Sequence, residues 1–165
     1  MTKPLGVGAI TTAHKRGSAT PEELEAAVET MVELNARAGR AALGAGAHAA
    51  TDVTGFGLLG HLHNLARESG LAAELRAGDL PILPGALAHL EDEGGISGGG
   101  RRNREYAAAF TRFGDGVPEA RRALACDPVT SGGLLIAVAP ERAGEIRGGV
   151  IGRLLEGSAG HISLI

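Results

Sequence analysis

"ATDVTGFGLLGH", residues 50–61, carries the pattern that decides the fold. The apolar stretch over 47–53 ("AHAATDV") predicts a short buried strand. A threonine and two glycines then favour a turn, and the leucine-rich stretch over 57–70 predicts a helix with its apolar side facing inward. A strand that passes through a tight turn into a helix is a building unit of α/β domains, and Asp52 lies at the strand's end.

Outside this unit the pattern continues to alternate between apolar and amphipathic stretches. Further strands are predicted over 5–13, 71–78, 133–140, 150–155 and 161–165. Further helices are predicted over 20–39 or 20–44, 83–95, 104–113 and 118–124, with a loop over 94–103. The continuous apolar run over 133–140 is typical of a central strand covered on both faces. The chain is therefore expected to form one α/β domain over residues 1–165, with helices packed on a sheet.

The helix predicted from residue 20 has the clearest start signal. Thr20 and Glu23 form a capping box, and Pro21 occupies the first helical position. Its apolar residues recur at helical spacing, which predicts that one face packs inward; these are Leu24, Val28, Met31, Leu34 and Ala38.

Composition limits the possible partners. The chain has 165 residues with 16 basic and 19 acidic side chains and a formal net charge of −3, so no strong positive field favours nucleic acid or an anionic membrane surface. No apolar run is long enough to span a bilayer. A single cysteine excludes an intrachain disulfide framework and favours a reducing compartment, the cytoplasm being the simplest.

Asp52 is the leading candidate for chemistry. Backbone N–H groups at the start of the following helix favour a phosphate, and the carboxylate is a suitable ligand for that phosphate's Mg²⁺. The alternative is an ordinary helix cap or Asx turn, which is the more frequent role of an aspartate before a turn.

Two glycine-containing segments are weaker candidates for anion binding. Arg101 and Arg102 follow "SGGG", where a mobile glycine loop would let them bind an anion. The alternative is a solvated turn with two surface arginines, which has the same sequence pattern. The residues over 130–133 ("TSGG") form either an anion-binding nest or a tight turn before a strand. No Walker motif and no dinucleotide fingerprint is present.

Cysteine and histidine offer little further chemistry. Cys126 is interpreted as a buried structural thiol, because the sequence shows no basic partner that would activate it. His61 and His63 lie two residues apart in a predicted helix and so point to different faces, which argues against a zinc site.

Three segments carry a family resemblance: "TKPLGVGAITTA" near the start, "ATDVTGFGLLGHL" from residue 50 and "CDPVTSGGLLIAV" from residue 126. Their order and spacing resemble the C-terminal domain of selenophosphate synthetase (selenide, water dikinase), in the aminoimidazole ribonucleotide synthetase superfamily. The resemblance covers nearly the whole chain. It implies an α/β (α+β) fold with a mixed β-sheet flanked by helices.

The resemblance also implies a function. The family makes selenophosphate, AMP and phosphate from selenide, ATP and water. In it, the aspartate of "TDVTG" is one of several that bind the Mg²⁺ ions on ATP, which assigns a metal role to Asp52. Thr54, Gly55, Arg101 and Arg102 are weaker candidates for contacts to the nucleotide, and the family forms homodimers.

The resemblance places the catalytic cysteine or selenocysteine, a nearby lysine and the other metal-binding aspartates in an N-terminal domain that this chain is expected to lack. No catalytic residue is therefore expected within residues 1–165. Three departures from the family pattern are visible: Val7 for a threonine, Ser97 and Gly100 at the ends of an expected "PGGT", and a segment over 140–150 too short for the usual long helix. Two functions are compatible with this: part of an ATP-dependent synthetase, or a non-catalytic binding or assembly module.

Overall fold

The computed structural model describes residues 1–165 and contains seven α-helices, two short 3-10 segments and six strands. The α-helices are α1 (Val7–Lys15), α2 (Pro21–Val32), α3 (Ala36–Gly44), α4 (Gly57–Glu68), α5 (Ala86–Glu91), α6 (Gly98–Ala107) and α7 (Glu119–Cys126). The strands are β1 (Ala49–Asp52), β2 (Ala72–Leu75), β3 (Thr111–Phe113), β4 (Leu134–Ala137), β5 (Gly152–Leu155) and β6 (Ile162–Leu164). The 3-10 segments are Ala77–Asp79 and Pro140–Glu145.

The strands form two separate sheets. β1 and β4 pair antiparallel as a two-stranded sheet, with Asp52 opposite Leu134. The other sheet is mixed and has the order β3-β6-β2-β5, in which β6 runs parallel to both neighbours and β5 runs antiparallel to β2. Helices pack on these sheets around one core, which confirms the predicted α/β (α+β) class with a mixed sheet flanked by helices.

Helix α4 is the best predicted element. It begins at Gly57 and ends at Glu68, within the predicted range over 57–70. All five residues expected to face inward are buried, namely Leu58, Leu59, Leu62, Leu65 and Ala66. The strands expected near 47–53, 71–78, 150–155 and 161–165 are also present, in shorter form.

The strand predicted over 5–13 is wrong, because α1 occupies most of it. Leu5 makes only an isolated bridge to Ile82, and Gly6 then adopts the left-handed conformation (φ 109°) at the helix start. The buried residues Val7, Ile10 and Ala13 recur every three positions, which is a helical period. A short apolar run fits a strand or a buried helix equally well, and the three-residue period is the signal that separates them here.

The single helix predicted from residue 20 is divided into α2 and α3. The capping box is confirmed: the Thr20 side chain accepts from the Glu23 N–H and the Glu23 side chain from the Thr20 N–H. Glu33 is extended and ends α2. The predicted inward face is wrong in part, since Val28 and Leu34 are 43% and 80% exposed while Ala27 and Thr30 are buried.

Four further predictions need correction. The loop over 94–103 is half helical, because the Ser97 side chain caps α6 by accepting from the Gly100 N–H. The helix expected over 104–113 ends at Ala107, and residues 111–113 of the predicted range form β3 instead. The strand over 133–140 shrinks to β4 and is not central: it pairs only with β1 and is half-buried except at Leu135. Helix 83–95 is also shorter, since α5 begins only after Gly85.

None of the seven α-helices combines the length and the apolar composition that crossing a membrane requires.

Candidate functional site

Asp52 is the last residue of β1, and its side chain is exposed. Strand pairing fixes its backbone, because the next residue, Val53, donates from its N–H to the Gly133 carbonyl at 2.9 Å. Val53 itself is fully buried. The carboxylate is therefore presented to solvent by a rigid backbone, as a ligand for an external ion requires.

The turn after Asp52 is fixed from two sides. The Thr54 carbonyl accepts from the Val129 N–H at 3.1 Å. The Asn103 amide of α6 donates to the Gly55 carbonyl at 2.8 Å and to the Cys126 carbonyl at 3.0 Å. Asn103 thus joins the turn and the end of α7 to one side chain, and the sequence analysis did not single it out.

Gly57 shows why this turn needs glycine. Its φ is +68°, in the left-handed region. An added Cβ would lie 2.8 Å from both the carbonyl carbon and the carbonyl oxygen of Cys126. The turn therefore packs backbone against backbone at the start of α4.

His61 is a second polar group at the site. Its Nε2 lies 3.1 Å from the Thr54 hydroxyl. Burial lowers the pKa of His61, and the negative charge of Asp52 opposes that shift, so the two side chains are close enough to interact. The ring also lies 5.8 Å from that of Phe56, centroid to centroid. Thr54 lies just before α4, and His61 lies in the second turn of that helix, seven residues later. This spacing is the signal that the sequence analysis missed.

Arg101 and Arg102 lie in the first turn of α6, not in a loop. Arg101 lines a cavity of about 270 Å³ together with Ser97, Gly100 and Asp127. Arg102 does not line it, so the structure separates the two candidates. Arg104 lines the same cavity and forms an ion pair with Glu119.

Asp127 is 2% exposed and packs under the start of α1. Its Oδ2 accepts from the Ala9 N–H at 3.1 Å. Burial raises the pKa of Asp127 to about 7, while hydrogen bonds from the N–H groups of Ala9 and Gly8 act in the opposite direction. Asp127 therefore holds α1 against the end of α7 and does not face solvent as Asp52 does.

The segment over 130–133 is the tight turn that the sequence analysis gave as one alternative. The Ser131 carbonyl accepts from the Lys3 ammonium at 2.9 Å, and the Gly132 carbonyl accepts from the Asn35 amide at 2.8 Å. Lys3 is buried and also donates to the carbonyls of Thr30 and Glu33. This lysine thus ties the turn to the end of α2, a role that its sequence position alone does not reveal.

The chain contains no cluster of three or more His, Cys, Asp and Glu side chains placed to hold a metal ion. The exposed carboxylate of Asp52 is chemically suited to one oxygen position around a Mg²⁺ ion, which prefers six oxygens in octahedral geometry. Residues 1–165 therefore do not form a complete Mg²⁺ site by themselves.

Cys126 is 1% exposed, and burial raises the pKa of its thiol to about 12. The interpretation as a buried structural thiol is confirmed. At pH 8 we expect iodoacetamide to label Cys126 at least about 100-fold more slowly in the folded chain than in the chain unfolded in urea, because the thiolate is the reactive form. Mass spectrometry of timed samples measures both rates, and equal rates would contradict the assignment.

Comparison with known proteins agrees with this geometry. A family model described as "AIR synthase related protein, C-terminal domain" matches residues 1–155. The chain belongs to this family. A selenide, water dikinase of Cronobacter sakazakii is 44% identical over 89% of this chain, and one of Burkholderia pseudomallei is 41% identical over 95%.

The chain spans 41% and 47% of the length of those two relatives. Among solved structures, a thiamine-monophosphate kinase from Stenotrophomonas maltophilia matches with a TM-score of 0.63 and 20% identity, covering 99% of this chain and 48% of that chain. This likeness shows that the two chains share a fold over nearly the whole of this chain. The sequence resemblance to selenide, water dikinases is confirmed by the relatives.

Proposed function

We propose that the chain is the C-terminal part of an ATP-dependent selenophosphate synthetase, which converts selenide, ATP and water to selenophosphate, AMP and phosphate. The observation that carries the proposal is the exposed carboxylate of Asp52, held at the end of β1 within the segment over 50–61. The identity to selenide, water dikinases supports it. A cytoplasmic location and a homodimeric full-length enzyme belong to the same proposal.

In this proposal Asp52 binds one Mg²⁺ ion on the phosphates of ATP. Bound Mg²⁺ neutralises charge that develops on the phosphates during transfer. The chain's own part is to hold the carboxylate in place: Val53 is fixed by Gly133, and the turn over 54–57 is fixed by Asn103 and Val129. The Thr54 hydroxyl in this turn lies 3.1 Å from His61 Nε2, which ties the turn to α4.

Exposed apolar side chains support a shared site. Phe56, four residues after Asp52, is 58% exposed, and Val32 and Leu34, which precede Asn35, are 68% and 80% exposed; Asn35 bonds the Gly132 carbonyl. Large exposed apolar side chains are typical of a surface that another protein part covers. We propose that an N-terminal domain covers this surface and supplies the nucleophile and the remaining metal ligands.

The second candidate is a binding or assembly module that keeps the fold without the reaction. The observation that favours it is the absence of a complete metal cluster and of an activated thiol within residues 1–165. Thr54, Gly55 and Arg101 then serve as structural or anion-contacting residues only.

One experiment separates the candidates. We expect the purified chain alone to form no selenide-dependent AMP, because loss of a nucleophile and metal ligands costs orders of magnitude in rate. Adding the separately expressed N-terminal domain of a selenide, water dikinase should restore AMP formation, measured by chromatography of the nucleotides. Turnover by the chain alone contradicts the shared site, and no turnover with both parts favours the module.

A further inference from the structure

A cavity larger than the one at Arg101 is lined by residues of both sheets, and none of its lining residues belongs to the turn over 52–57. It has a volume of about 740 Å³. Leu62 and Leu65 of α4, Leu75 of β2, Leu135 of β4 and Ile151 contribute to its walls, and this space is called here the sheet-gap cavity. Soluble proteins rarely expose a large contiguous apolar surface, so an apolar-lined space of this size that is open to solvent needs an explanation.

The cause lies in the segment between β4 and β5. Residues Pro140–Glu145 form a 3-10 segment in which no residue is buried. Ala143, Ile146 and Val150 border the cavity but do not fill it, and Val150 remains 58% exposed. The apolar walls from α4, β2, β4 and Ile151 are thus left without a side chain that covers them.

The size and lining suit a small molecule. Ligand pockets are usually about 300–1,000 Å³ in volume and are lined mainly by apolar side chains with a few polar groups. Of the 28 lining residues, 17 are hydrophobic. An apolar ligand body would replace water that these walls cannot hydrogen-bond.

The charges at the mouth select the ligand's head group. Three guanidinium groups border the cavity, and one carboxylate, that of Glu74, accompanies them. Glu74 pairs with Arg153 at 3.0 Å, and Arg76 pairs with Asp79. Arg147 is the remaining guanidinium and has no ion-pair partner. The Arg147 side chain is exposed and takes part in none of the chain's hydrogen bonds or ion pairs. Arg147 is therefore the one of these three guanidinium groups that is free to bind an anion. The N-terminal ammonium of Met1 also lines the cavity and donates to the Gly149 carbonyl at 2.9 Å.

We propose that the sheet-gap cavity binds an aliphatic carboxylate, with its alkyl chain between the sheets and its carboxylate at Arg147. The proposal is independent of the synthetase function, since no residue of the turn over 52–57 lines this cavity.

The test is a calorimetric titration of the full chain with octanoate, decanoate and dodecanoate below their micelle concentrations. Burial of methylene groups raises affinity about fourfold for each group, so each step of two carbons should raise it roughly fifteenfold. Dodecanol and dodecyltrimethylammonium, which share the alkyl chain but not the negative charge, should bind at least about fivefold more weakly.

Two variants with matched controls locate the ligand. Arg147→Gln should weaken dodecanoate binding about fivefold and leave dodecanol binding unchanged, whereas Arg37→Gln, an exposed arginine on α3, should change neither. Ala143→Phe places a ring at the half-buried edge of the cavity and should weaken both ligands at least about tenfold, whereas Ala108→Phe on the exposed end of α6 should not.

Several results would overturn the proposal: no saturable binding of dodecanoate, equal affinity for the cationic amphiphile, or binding that Ala143→Phe does not weaken. A dimer in sedimentation equilibrium that Ala143→Phe dissociates, together with no dodecanoate binding, would show that a second copy of the chain covers the cavity instead.

Discussion

Asp52→Asn is expected to lower Mg²⁺-dependent ATP use by about two orders of magnitude or more in an enzyme assembled from both domains, while folding stays close to normal. Asparagine keeps the size of the side chain and any hydrogen bond to the following turn, and it removes only the negative charge. Loss of a charge that holds the metal on the phosphates weakens stabilisation of the transferring group. A Mg²⁺ titration of activity measures the change.

The free energy of unfolding provides the second half of this test. Because Asp52 is exposed, its replacement should change stability by less than about 0.5 kcal/mol. Asp115→Asn, at another exposed aspartate before α7, is the matched control and should alter neither activity nor stability. An Asp52→Asn enzyme with normal rate and normal Mg²⁺ dependence would reduce Asp52 to a turn residue.

Gly57→Ala is expected to destabilise the chain by about 2–4 kcal/mol. One part of the cost is the left-handed backbone (φ +68°), which an L side chain rarely adopts, and the other is the close approach to the Cys126 carbonyl group. The Cys126 carbonyl, 2.8 Å from the added Cβ, is hydrogen-bonded to Asn103. It therefore cannot move away from the new side chain without a further loss of stability. Urea unfolding followed by circular dichroism measures the loss.

Gly55→Ala, two residues earlier in the same turn, is the control. Its added Cβ meets nothing within 4 Å, and its φ is not positive, so we expect a change below about 0.5 kcal/mol. Similar losses in the two variants would show that the turn tolerates no side chain anywhere, and the packing of Gly57 on Cys126 would then not explain its effect.

The parts of the fold that could be predicted from sequence are those governed by local pattern. The inward face of α4 follows from leucine spacing, and the start of α2 follows from Thr20, Pro21 and Glu23. The break between α2 and α3 depends instead on Lys3, which binds the carbonyls of Thr30 and Glu33 from about thirty residues away. No local window contains that information.

The division into two sheets is likewise a long-range result. An apolar run such as 133–140 indicates burial, but not which strand it pairs with, and β4 pairs with β1 about 85 residues earlier. The burial of Cys126 was predicted correctly, because a thiol can be buried without a hydrogen-bond partner.

The candidate site divides in the same way. The position of Asp52 at the end of a strand and before a helix start was predicted from the local pattern, whereas its role as a metal ligand comes from the family resemblance and stays a prediction. His61 and Asn103 were missed, since one reaches the turn from within α4 and the other from α6, across 48 residues. Arg101 lies at a cavity while Arg102 does not, which depends on the first turn of α6 being helical.

The strand order of the mixed sheet bears on how the protein forms during synthesis. β6 lies between β3 and β2 and bonds to both, although it follows them in the chain by about 50 and 90 residues. Until residues 162–164 have left the ribosome, β2 and β3 have no hydrogen bonds to each other, and each has an open edge. Open edges and late long-range pairing slow folding and favour contacts with other nascent chains. Completion of the sheet therefore waits for residues 162–164, and until they are available β3 has no strand partner and β2 keeps one open edge.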